Sequence, residues 1–116
     1  MRYLVEMRLA EHGRLDPREG LAFIESYVLP SLALCKKLEA EGKIVAGGPI
    51  SATIGFALIV EAGSALELDE IIEGLPLWPR MRTTVTPLTT FDDRAKAIEP
   101  RLAGIKARLK AMEAAH

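Results

Sequence analysis

Residues 2–9, RYLVEMRL, alternate Tyr3, Val5, Met7 and Leu9 with Arg2, Leu4, Glu6 and Arg8. A period of two is that of an extended strand, so this stretch predicts a first strand with one strongly apolar face. DPRE follows, with Asp16 placed to cap a helix, Pro17 at its first position and Glu19 where a capping box wants an acid. Leu21, Ile24, Val28, Leu32 and Cys35 then recur at steps of three and four and predict the buried stripe of that helix, which Gly42 ends as a left-handed stop. Pro30 has no N–H for the carbonyl four residues back, so a kink or short break is expected near Val28 and Leu29.

KIVAGGPI reads as a second strand closing at a bend on a sheet edge, and TIGFALIVE as a third with Ile54, Phe56, Leu58 and Val60 on one face. Ser64 and Glu67 form another capping signal, Leu68, Ile71, Ile72 and Leu75 supply the stripe of a short helix, and Gly74 stops it. MRTTVTPL is the fourth strand. Thr90 and Asp93 then cap a last helix carrying Ala95, Ile98, Leu102, Ile105, Leu109 and Met112, which Pro100 is expected to divide.

The order strand, helix, strand, strand, helix, strand is the split βαβ pattern of an α+β, ferredoxin-like domain, with both helices on one face of an antiparallel sheet. Residues 1–90 form that domain, and residues 91–116 are a C-terminal helical extension. Two heptads are fewer than an independent coiled coil usually needs, so the extension is expected to dock on the body or on a neighbouring subunit. The sheet face away from the helices would carry Leu4, Gly55, Ala57 and Ile59 beside Glu6, Arg8, Arg82 and Thr84, and its apolar half predicts a homodimer packed through that face.

The 116 residues suit one domain, and 15 basic against 16 acidic residues leave a net charge of −1, which creates no field for nucleic acid or an anionic membrane. The lone Cys35 cannot close an internal disulfide, and no apolar run reaches the length of a membrane span. The expected compartment is the cytoplasm, with neither a nucleic-acid nor a membrane partner. One Cys and two distant His offer no metal-ligand spacing, so neither metal nor cofactor is expected. AGGPIS lacks the Lys of a phosphate loop and leads into a strand, which makes it a bend. Arg101, Lys106, Arg108 and Lys110 have no aromatic residues among them and read as a solvated helix face.

The run from LEAEGKIVAGGPI to LPLWPRMRTTVTPL, residues 38–88, resembles muconolactone isomerases, in which the second helix is likewise followed by a Leu-Pro-Leu-aromatic-Pro segment. It is also similar to YCII-related proteins, with their Gly-Pro bend and LIVEA-like third strand. The resemblance implies the dimeric α+β barrel superfamily, two ferredoxin-like sheets packed face to face, and a proton-moving reaction on a small carboxylated lactone or related acid. Where those isomerases carry aromatic and basic residues on the second strand, this chain has Ile44, Val45, Ala46, Gly47 and Gly48. In place of the acids on their first helix it has VLPSLALC, and the His and Asp of YCII-related proteins have no counterpart in REGLAFIESY or at Gly74.

Pocket candidates are Glu6, Arg8, His12, Trp78 and Arg82. His12, in the loop after the first strand where this superfamily opens its cleft, could act as a base; its plain alternative is a solvated loop histidine. Glu6, Arg8 and Arg82 should share one face, where an Arg could clamp a ligand carboxylate or pair with Glu6. Leu77 and Trp78, between Pro76 and Pro79 on an extended connection, are expected together to anchor the helix end to the sheet. Cys35 on a buried stripe is a small hydrophobe, and His116 is the last residue. Two readings remain: an isomerase or lyase with Glu6 or His12 as base and Arg8 or Arg82 as anion clamp, or a non-catalytic small-ligand binder or accessory subunit that keeps the barrel without the acid/base set.

Overall fold

In the computed structural model, which describes residues 1–10 and 13–115, the first alternating segment is strand β1 (Arg2–Leu9). Tyr3, Val5 and Met7 are buried on one side of it, with Val5 and Met7 at 0% exposure. Strands β2 (Ile44–Pro49), β3 (Gly55–Glu61) and β4 (Met81–Leu88) complete an antiparallel sheet in the order β2-β3-β1-β4. This is the expected α+β, ferredoxin-like order, with β1 between β3 and β4 and β2 at an edge. Val5 lies opposite Leu58 and Val85, and Met7 opposite Phe56 and Thr83, so the inward rows match strand by strand. A bulge between Ile44 and Ala46 offsets β2, and Gly47 just beyond it has φ +91°. A Cβ at Gly47 would run into the Ala57 carbonyl oxygen, so glycine is required there for β2 to reach β3.

Helices α1 (Pro17–Phe23), α2 (Leu29–Ala40) and α3 (Ala65–Glu73) supply the covering layer, closing a core in which Phe23, Leu38, Leu68, Ile71 and Ile72 meet the inward strand residues. The caps are those expected: Asp16 accepts from the Glu19 N–H at 2.8 Å and Ser64 from the Glu67 N–H at 3.1 Å. The Glu67 carboxylate reaches back to the Gly63 N–H at 2.8 Å. Gly42 takes φ +77° as a left-handed stop, whereas Gly74 closes α3 with a right-handed φ of −72°.

Pro30 does not break the first helix. A π turn over Ile24–Val28 joins α1 to α2, and the Leu29 N–H bonds to the Ile24 carbonyl five residues back. The wider turn takes up one residue ahead of the proline, where the ordinary bond pattern could not be completed. That extra residue shifts the phase along the helix, and the predicted stripe holds only in part: Val28 and Cys35 pack against the core, Leu21 and Ile24 are 59% and 49% exposed, and Phe23, Ser31 and Leu38 are the buried residues, with Tyr27 and Leu34 packed beside them.

The GLPLWPRM segment turns rather than extends, through a 3₁₀ turn at Trp78–Arg80 in which the Arg80 N–H bonds to the Leu77 carbonyl at 2.9 Å. Its anchor is Leu77, at 0% exposure; Trp78 is only partly buried against the core. Ser31, also at 0% exposure, accepts the Leu77 N–H at 3.0 Å and ties α2 to the segment that enters β4. The Arg80 guanidinium sits 4.5 Å from the Tyr27 ring centroid, adding a cation–π contact on the same seam.

Helix α4 (Phe91–Ala114) runs unbroken through Pro100, and every residue along it is exposed. On a helix surrounded by water, the carbonyl that Pro100 cannot serve is left to solvent, which lets the helix continue. The radius of gyration, 21.4 Å, far exceeds the ~13 Å of a compact chain of this length, because α4 stands off the body.

Leu77→Ala is expected to lower stability by about 2–5 kcal/mol, through lost burial and a cavity. Ser31→Ala strands a buried N–H and is expected to cost about 1–3 kcal/mol. Trp78→Ala should cost less than Leu77→Ala, and urea unfolding of the three variants gives the ranking; a Trp78 variant weaker than the Leu77 variant would restore tryptophan as the anchor.

Candidate functional site

The face of the sheet opposite the helices collects most of the candidate side chains. In the β1–β4 register Arg8 lies directly opposite Arg82 and Glu6 opposite Thr84. On the other flank Arg8 faces Gly55 and Glu6 faces Ala57, which in turn faces Gly48 on β2. Because cross-strand partners project to the same side, two adjacent rows form: Arg82, Arg8 and Gly55, then Thr84, Glu6, Ala57 and Gly48. Long charged chains stand on β1 and β4, and a floor of Ala57 and Gly48 lies over β3 and β2, while Gly55 is buried with the Ile50 side chain beside it. A flat small molecule laid on that floor would have both guanidinium groups and the Glu6 carboxylate along one edge.

Among the described residues, nothing neutralises the charges in these rows. None of Glu6, Arg8 and Arg82 forms an ion pair within 4.0 Å among the described residues, so the expected pairing of Glu6 with either arginine is absent from the single chain. Arg8 and Arg82 are exposed and hydrated, which keeps two like charges tolerable on neighbouring strands; Glu6 is half-buried.

The far end of the same face is an open concavity of about 850 Å³ bounded by Met1, Arg2, Ile59, Glu61, Leu88 and Phe91. Its carboxylate is already engaged. Glu61 accepts from the N-terminal ammonium at 3.0 Å and from Arg2 at 3.3 Å, and the ammonium first, Arg2 second, hold its carboxyl below the ordinary value. A carboxylate bound to two cations is a poor proton acceptor, so Glu61 is no candidate base.

The remaining candidates lie elsewhere. Trp78 packs on the helix-side core and does not join the charged rows. His12 lies outside the described residues, as does His116. Cys35 lies beside the α2–β2 groove, where burial pushes its thiol up to about 11. Among the described residues no group of three or more His, Cys, Asp or Glu could hold a metal, and no helix is long and apolar enough to cross a membrane. The sequence reading missed the Glu61 cluster, although the acid closing β3 and the charge opening β1 are the signal for it once the two strands are paired antiparallel.

A family model described as muconolactone delta-isomerase matches residues 1–94. Two solved structures share the fold. A muconolactone isomerase is 21% identical with a TM-score of 0.63, covering 78% of this chain and 90% of that one. The 5-chloro-2-hydroxyhydroquinone dehydrochlorinase of Burkholderia phenoliruptrix AC1100, in complex with 2,5-dihydroxybenzoquinone, is 24% identical with a TM-score of 0.56, covering 80% of this chain and 98% of that one. No curated protein sequence matches the chain significantly.

Removing one of two facing like charges relieves repulsion worth roughly 0.2–1 kcal/mol, so Arg82→Met is expected to leave the melting temperature unchanged or slightly raised. A drop of several degrees would mean that Arg82 holds a partner the chain needs. The folded value of Cys35 lies above that of an unfolded cysteine, so the neutral thiol's contribution to stability is whole below the unfolded value and fades as pH rises toward about 11. At about pH 7.5, iodoacetamide should alkylate Cys35 on the order of 100-fold more slowly in the folded than in the denatured chain.

Proposed function

Since the chain belongs to the muconolactone delta-isomerase family, and with it to the dimeric α+β barrel superfamily, we propose that it is an isomerase or lyase that moves a proton next to a carbonyl on a small carboxylated lactone or related acid. The observation that carries this reading is Glu6, with no ion-pair partner among the described residues, beside the facing pair Arg8 and Arg82, over a floor of Ala57 and Gly48. Glu6 serves as the base and the arginines bind the substrate carboxylate, whose charge offsets theirs. Isomerisation and dehydrochlorination, the activities in the names of the two similar structures, both involve proton transfer at carbon, which suits one carboxylate and an anion clamp better than a metal-dependent scheme.

A single sheet leaves this site open to water, where a carboxylate is a weak base and an arginine a weak clamp. The reading therefore includes a homodimer in which the outward faces pack together, covering Leu4, Ala57 and Ile59 and enclosing the charged rows between two copies. It places the protein in the cytoplasm, in keeping with a single unpaired Cys35.

The second reading, a binder of small carboxylates without catalysis, draws on the helix side of the chain. There VLPSLALC offers no proton-moving group except a thiol raised to about 11.

Incubation with a panel of unsaturated lactones, followed by ultraviolet absorbance, is expected to reveal turnover that Glu6→Gln lowers by about 10²–10⁴-fold while carboxylate binding survives. Arg8→Met or Arg82→Met should raise KM. Carboxylate binding without turnover selects the binder, and neither binding nor turnover across the panel sinks both. Sedimentation at micromolar concentration is expected to give a dimer or a larger assembly, and a strict monomer would remove the enclosed site.

A further inference from the structure

The family match ends at residue 94, four residues into α4, so nearly all of this helix is additional to the common fold. Along it Ala95, Ile98, Leu102, Ile105, Leu109 and Met112 alternate at steps of three and four, and they stand in water: Ile98, Leu102, Ile105 and Leu109 are 40%, 50%, 47% and 53% exposed. In heptad terms Ala95, Leu102 and Leu109 occupy a, and Ile98, Ile105 and Met112 occupy d. Pro100 falls at f, the position farthest from the seam. With the helix unbroken there, the apolar line continues over roughly 26 Å.

The charges beside the seam are ordered. Every g position from 94 to 108 is arginine (Arg94, Arg101, Arg108), and three of the four e positions are acidic (Asp92, Glu99, Glu113), with Lys106 the exception. In a parallel pair each g faces the partner's following e. Arg94 would meet the partner's Glu99 and Arg108 the partner's Glu113, and only Arg101 would meet a like charge, the partner's Lys106. In an antiparallel pair of full overlap g faces g and e faces e, so Arg101 meets the partner's Arg108 and Asp92 the partner's Glu113, each twice, against one favourable combination, Glu99 with the partner's Lys106.

From this charge complementarity and the bare apolar seam, we infer that α4 is an assembly arm that pairs in parallel, in register, with α4 of a second copy of this chain. The pairing stands apart from the catalytic reading and can fail while that reading holds. Where the bodies also associate, the second contact becomes intramolecular, which favours a seam this short.

In a Cys35→Ser background, Ile98→Cys is expected to shift to disulfide-linked dimer under mild oxidation, because parallel d positions bring the two Cα atoms within disulfide reach. Ala107→Cys, at f on the outer side, should stay monomeric on the same non-reducing gel. Reversing Arg94→Glu and Arg108→Glu together in the Ile98→Cys chain should cut the crosslinked yield about tenfold or more, and mixing that chain with an Ile98→Cys partner that carries Glu99→Arg and Glu113→Arg should restore it. No crosslink at 98, or equal crosslinking at 98 and 107, overturns the pairing and leaves α4 to the body or to another partner. Crosslinking only between Ile98→Cys and Leu109→Cys chains, the d and a positions level with each other in an antiparallel pair, overturns the parallel orientation, and a yield indifferent to charge overturns its electrostatic basis.

Discussion

Slipping β1 by one residue against β3 would send Leu4, Glu6 and Arg8 into the helix-side core and bring Tyr3, Val5 and Met7 out, exchanging a dry interior for two buried charges. The cost of burying an unpaired carboxylate or guanidinium makes that slip prohibitive, so the pleat fixes which side of the sheet is core and which is free to carry chemistry. Everything else is arranged around this choice. Phe56, Leu58 and Val60 continue the inward row, while Ala57 and Gly48 leave the opposite side low enough for a ligand or a second sheet to approach the charged rows.

The covering layer is held by a polar contact as well as by packing. Ser31 interrupts an otherwise apolar helix face, and its buried hydroxyl accepts the Leu77 N–H, which the turn at Trp78–Arg80 would otherwise leave unbonded. The π turn ahead of Pro30 rotates α2 relative to α1, and in this rotated phase Phe23, Ser31 and Leu38 are the residues that face inward. The proline, the π turn and the serine therefore form one arrangement that seats the entry to β4 and so sets Arg82 opposite Arg8.

The boundary of the family match coincides with a change in physical character. Up to β4 the chain buries its apolar residues on itself; from Phe91 onward it leaves them in solvent on an arm that lengthens the molecule to 77 Å. An exposed apolar line flanked by ordered charge is stable in water only at a cost in hydration, and pairing with another surface removes that cost.

Sequence by itself was sufficient for the features that follow from local periodicity and local chemistry. The four strands, the caps at Asp16, Ser64 and Thr90, the ferredoxin-like order and the common face of Glu6, Arg8 and Arg82 were all legible, because alternation and capping involve residues close along the chain. Only the tertiary structure decided which of two apolar lines on the first helix is buried, since a one-residue π insertion rotates the helix without marking the sequence. Tertiary structure likewise gave the anchoring role to Leu77 over Trp78, because that role depends on a serine forty-six residues away along the chain. It also left Glu6 without an ion pair to Arg8 or Arg82, because strand register can place three charges on one face without bringing opposite charges within ion-pair distance.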